Sequence, residues 1–212
     1  KLEPNTVALI AFETAAPSKK GYIWNPSAAK NGQRFPLINS ANGSGSSANQ
    51  IAPFCKHLAS WGFIVAGNDD GNCRTGASVA ATLDQVLELN QDPSSPLAGR
   101  IDTTRIGVLG HSQGGVGAIN AVTNQPNGHR YTALFTASAT SPYWGQDFVF
   151  GPEWSYDPAK IRIPTFMCAG SVGFDAGEAE SIEPTTGQGI CPLWALKSIY
   201  GEISASVPCV IA

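Results

Sequence analysis

The residues best suited to chemistry in this chain are Gly110-His111-Ser112-Gln113-Gly114, a hydroxyl held between two glycines. The apolar run Arg105–Leu109 precedes them and reads as a strand, while the small-residue run Gly114–Asn120 follows and reads as the start of a helix. A serine on so sharp a strand-to-helix turn is the arrangement that presents a nucleophilic oxygen for acyl transfer. The turn forces a strained backbone on the serine. Side chains at positions 110 and 114 would collide with the adjoining strand and helix, which is the physical reason for glycine there. Gly115, Gly117 and Ala118 let the helix lie close to the sheet, so that its N-terminus directs free N–H groups and a positive dipole at developing negative charge. His111 adjoins Ser112 in sequence, but neighbours on such a turn point apart. It is expected to pack beside the sheet rather than to serve as a base.

A second segment complements the first. Ala41–Ala48 has the composition of a Gly/Ser linker, yet it falls between a predicted strand and a predicted helix, where a tight functional loop is needed. The N–H of Ser44 in this loop and the N–H of Gln113 are the candidate oxyanion donors. Loss of one such donor typically costs about 3 kcal/mol of transition-state stabilisation.

The elements that must position these groups follow from periodicity. Strands are predicted over 6–12, 21–24, 35–39, 62–67, 105–109, 131–136, 163–168 and 206–211, and helices over 49–60, 77–90, 113–124 and 192–200. Mostly apolar strands alternating with helices specify one α/β domain over residues 1–212. The expected architecture is a mostly parallel eight-stranded sheet with an antiparallel start and helices on both faces.

Composition narrows the function classes. Charged residues are 14% of the chain, net charge is −3, and the Lys and Arg residues are scattered, so no basic stripe exists to bind nucleic acid. No apolar run reaches the length of a membrane span. Cys55, Cys73, Cys168, Cys191 and Cys209 form no CxxC pair and have no histidine at ligand spacing, so neither a metal nor a cofactor is expected. Several cysteines with few lysines, behind a first residue that is Lys1, suit an exported protein with disulfides. Cys55 and Cys73, both expected at the carboxyl edge of the sheet, are the favoured disulfide pair.

Asn42-Gly43-Ser44-Gly45, His57–Val65 and Ile101–Gly115 together resemble the cutinase-like polyester hydrolases of the α/β-hydrolase superfamily. The chlorophyllase, dienelactone hydrolase and platelet-activating-factor acetylhydrolase groups share the pattern more loosely. The resemblance is close over residues 35–125 and weak beyond 140. It implies Ser112 as nucleophile, Ser44 and Gln113 as the oxyanion hole, and Trp144 as an aromatic packing on the acyl group or closing a loop.

The fold supplies an acid after the seventh strand and a histidine after the eighth. The family acid aligns nearer Gly173, so Asp175 requires a two-residue insertion. Asp175 is nonetheless preferred, ahead of Glu178 and Asp147. His57, His111 and His129 are the three histidines of the sequence, and each is expected in a structural or surface role. The base, and a closing C-terminal helix, are therefore expected in a remaining C-terminal part of the polypeptide. An ester is the expected partner, and a lipid or small-ester acetylhydrolase is the alternative enzyme. A hydrolase-fold protein that binds ligand without catalysis is the alternative of another class.

Overall fold

The structure is a computed structural model that describes residues 5–14, 20–27, 32–142, 151–176 and 189–212. Eight strands form one sheet: β1 Val7–Glu13, β2 Lys20–Pro26, β3 Phe35–Ala41, β4 Ile64–Asn68, β5 Ile101–His111, β6 Ala133–Ala137, β7 Thr165–Cys168 and β8 Cys209–Ile211. Their order is β1-β2-β4-β3-β5-β6-β7-β8. β2 pairs antiparallel with β1 and β4, and every other pairing is parallel. This is the α/β-hydrolase fold, with its antiparallel start where the sequence places it.

The helices are α1 Ala52–Ser60, α2 Ala77–Gln91, α3 Gln113–Thr123, the single turn α4 Gly173–Ala176, and α5 Leu193–Glu202. Alternation along the strands divides the core in two. Ile23, Leu37, Ile64, Val108 and Met167 join α2, α3 and α5 on one face, where Leu83, Val116, Ile119 and Leu196 interdigitate. Trp24 and Val65 pack with Cys55 and Ala59 of α1 on the other. On that second face an apolar cleft of about 690 Å³ lies over β3 and β5–β8, floored by Ile38, Leu109, Phe135, Phe166 and Val210. Its rim includes Pro36, Arg105, Pro164 and Pro208. Pro36, Pro164 and Pro208 lie at or just before the starts of β3, β7 and β8, so the cleft reaches toward the amino ends of the strands, and Ser112 is not among the residues that line it.

Two sequence expectations are corrected. Cys55 and Cys73 belong to core clusters on opposite faces of the sheet, and all five cysteines are free thiols, so the favoured disulfide does not form. β5 is longer than expected because Ile101 and Asp102 pair with Phe35 and Pro36 ahead of a register shift at Pro36/Leu37.

Candidate active site

Ser112 stands between the end of β5 and the first turn of α3, with φ 56° and ψ −125°. For a non-glycine residue this is a strained backbone, held only because the surroundings over-determine it. A Cβ at Gly110 would overlap the backbone of Gly114, and one at Gly114 would overlap the carbonyls of Ala41 and Asn42. Both glycines are therefore sterically required by the close approach of strand, helix and the loop after β3. Hydrogen bonds finish the elbow. The Ser112 N–H donates to Ala137 O (3.0 Å), and Ser112 O accepts from the N–H groups of Gly115 (2.9 Å) and Thr140 (3.2 Å). Residues 113–121 of α3 are all buried, as expected of a small-residue helix enclosed by the sheet and its neighbours.

The loop after β3 lies against this elbow. The Gln113 side-chain amide donates to Ser44 Oγ at 3.1 Å, so the two candidate oxyanion residues are bridged directly. Asn42 anchors the loop from below: its amide donates to Asn68 O (2.7 Å) and Asp70 O (3.0 Å). The Cys73 thiol donates to Asn42 O at 3.0 Å, and the Gly45 N–H donates to Gly71 O at 3.0 Å. Burial, followed by the nearby Asp70 charge, pushes the Cys73 thiol up to about 12, so it remains a neutral donor. Sequence reasoning missed this Asn42 clamp, since a lone asparagine before a glycine reads only as turn chemistry.

Asp175 lies in α4 with its side chain 30% exposed, and its Oδ2 is 3.3 Å from Nε2 of His111. His111 thus departs from expectation. It does not pack beside the sheet but is exposed at the carboxyl edge, with Gly43 on one side and Asp175 on the other. His111 is the last residue of β5, paired with Ala137 of β6, and its side chain is exposed at that end of the strand. His57 is on α1 with its ring against Trp61, and His129 has Nδ1 2.9 Å from Pro126 O in a turn before β6. The contacts of all three histidines are thus with groups other than the Ser112 hydroxyl. Trp144, Asp147 and Glu178 lie outside the described residues. Among the described residues no group of three or more His, Cys, Asp or Glu is arranged to hold a metal ion.

The strand order, the strained serine and the loop bridged to it through Gln113 and Ser44 can be set against known proteins. The family model described as PET hydrolase-like matches residues 5–180. The chain belongs to the PET hydrolase-like family. A bis(hydroxyethyl) terephthalate hydrolase of Streptomyces coelicolor is 33% identical over 112 residues, a stretch that is 50% of this chain and 34% of that protein. The chain thus matches about a third of that relative's length. Family membership agrees with the polyester-hydrolase resemblance carried by residues 35–125, and the model extends it through Asp175.

Proposed function

We propose that the protein is a serine carboxylic-ester hydrolase of the cutinase or polyesterase kind, acting through an acyl-enzyme on Ser112. The observation that carries this reading is the strained Ser112 backbone between two sterically required glycines, at the N-terminus of α3. In the reaction the Ser112 hydroxyl gives its proton to an imidazole as its oxygen attacks the ester carbonyl. The carbonyl oxygen becomes an oxyanion, held by the backbone N–H groups of Ser44 and Gln113. Collapse of that intermediate expels the alcohol, protonated by the imidazolium. Water, deprotonated by the same imidazole, then releases the acid and restores Ser112.

The three histidines in these 212 residues make their contacts elsewhere. We therefore assign the base to a histidine in the part of the polypeptide beyond residue 212. Ala212 pairs with Met167 and Ala169, which puts the end of β8 beside the start of the acid loop. Asp175 is the acid that orients this imidazole. Val172 (79% exposed) and Phe174 (77% exposed) flank the approach to Asp175 and offer an apolar rim. With the relative that hydrolyses a terephthalate ester, this favours aromatic or otherwise apolar acyl groups over small polar ones.

Fluorophosphonate labelling tests the reading. The full polypeptide should be labelled at Ser112 and should hydrolyse p-nitrophenyl esters and bis(hydroxyethyl) terephthalate. An unlabelled serine in well-folded protein would refute it and favour a hydrolase-fold ligand binder, a second reading supported by the contacts of the three histidines, which are with groups other than the Ser112 hydroxyl.

A further inference from the structure

Two non-glycine residues among those described have a left-handed backbone, Ser112 (φ 56°) and Ser138 (φ 45°). The elbow accounts for the first. The second follows β6 directly, is 2% exposed, and takes no part in the chemistry described so far. Left-handed backbone is costly for serine and persists where its surroundings enforce it, most often at functional sites.

The contacts of Ser138 show what its bend accomplishes. Its N–H donates to Cys168 O at 2.7 Å, at the end of β7. Its Oγ accepts the Gly170 N–H at 3.3 Å, at the start of the loop that leads to Asp175. The residues around it hold the nucleophile instead: Ala137 O accepts the Ser112 N–H, and the Thr140 N–H donates to Ser112 O. Gly170 in turn lies against the acid, since a Cβ built there would stand 3.4 Å from Asp175 Cβ and 3.9 Å from its Oδ2. A right-handed or extended residue at 138 would redirect the chain and break one set of these contacts. One short loop therefore holds the backbone of the nucleophile and the backbone at Cys168 and Gly170, where the loop to the acid begins.

We propose that Ser138 is a positioning residue that sets the Asp175 loop relative to Ser112 through its hydroxyl and its left-handed backbone. The inference rests on the reading of Ser112 and Asp175 as nucleophile and acid. It adds a third residue that touches neither substrate nor the reacting atoms. Catalysis is sensitive to ångström-scale misplacement, so loosening this grip should slow turnover without weakening substrate binding.

The test uses three variants of the full polypeptide. Ser138→Ala removes the hydroxyl and keeps the strain, Ser138→Gly removes both, and Ser138→Thr keeps the hydroxyl. Hydrolysis of p-nitrophenyl acetate is followed across pH, alongside thermal melting and fluorophosphonate labelling. Ala and Gly should lower kcat by about 10- to 100-fold with KM little changed. They should also move the ascending limb of the kcat/KM profile to lower pH, because a displaced carboxylate no longer favours the protonated imidazole. Gly should lose activity while melting no earlier than Ala, and Thr should return the limb to its wild-type position even where it melts lower. Unchanged kcat and pH limb in Ala and Gly, or losses that simply follow melting temperature across the three, would overturn the proposal. A parent protein that neither labels nor turns over would sink the hydrolase reading itself, an outcome separable from any defect at position 138.

Discussion

The carboxyl edge of the sheet has two sides that are built in opposite ways. On the Ser112 side, the backbones of Ala41, Asn42, Gly110 and Gly114 approach so closely that a single added Cβ would overlap them. The first nine residues of α3 there are buried. On the Asp175 side, residues 170–174 are exposed, α4 is a single turn, and Asp175 meets His111 across 3.3 Å in partly solvated surroundings. Attack and oxyanion binding need geometry fixed before the substrate arrives, and close-packed backbone provides it. An orienting acid needs only to meet its imidazole, so its loop can vary in length and composition at little cost.

Substitutions should reflect that division. The largest effect is expected at the nucleophile itself: Ser112→Ala should lower kcat by about 10⁶-fold, measured on p-nitrophenyl butyrate with the full polypeptide. Asp175→Asn should cost about 10⁴-fold while leaving fluorophosphonate labelling detectable, since the oxyanion donors remain in place. A loss at Asp175 as deep as that at Ser112 would mean that the Asp175 side is no more forgiving than the elbow. Wild-type activity in Asp175→Asn would remove Asp175 from the triad.

Stability should show the same weighting. Gly114→Ala drives a methyl group into the carbonyls of Ala41 and Asn42 and should cost about 3 kcal/mol of unfolding free energy, read from urea denaturation. Gly173→Ala, with φ 77° but no atom within 4 Å of the added Cβ, should cost about 1 kcal/mol, the backbone penalty alone. Equal costs at the two positions would erase the contrast in packing.

The same contrast explains what could be read from the chain and what could not. Gly110, Gly114 and Ser112 were legible because steric demand leaves almost no other residues for those positions. The succession of strands and helices along the chain was legible because apolar runs alternate with helices of recognisable face. The end of β5 was harder to read. Arg105–Leu109 is a strong strand signal, whereas Ile101 and Asp102 join the sheet only because β3 shifts register beside them. The disulfide between Cys55 and Cys73 failed for a related reason: spacing places both near one edge, but the face a residue takes depends on tertiary packing. His111 and Ser138 were missed because a side-chain direction and a left-handed φ leave no periodic trace in sequence. The preference for Asp175 required an insertion, because loop length there leaves no periodic trace in sequence.

Two thiols allow the contrast in rigidity to be measured within one molecule. Cys73 lies beneath the loop after β3 and Cys191 beside Asp175, where its N–H donates to Asp175 O at 2.9 Å. They are 1% and 0% exposed, and burial pushes each up to about 12. Equal burial and equally raised pKa mean that neither reacts as a thiolate in the closed structure, so alkylation at pH 8.5 reports how often each region opens. Cys191 should react about tenfold faster than Cys73, the ratio given by ~1.4 kcal/mol less opening free energy. Both thiols also make the fold sensitive to alkali. The unfolded chain gives up these protons near pH 9 while the folded chain holds them to about 12. Their contribution to stability is therefore complete below pH 9 and falls as pH rises from there toward 12. Cys73→Ala should flatten that decline by about 1.4 kcal/mol per pH unit within the window, measured by urea unfolding from pH 8 to 11. Alkylation of Cys73 at the rate of Cys191 would show that the Ser112 side opens as readily as the Asp175 side. Close backbone packing would then no longer account for the geometry of the elbow.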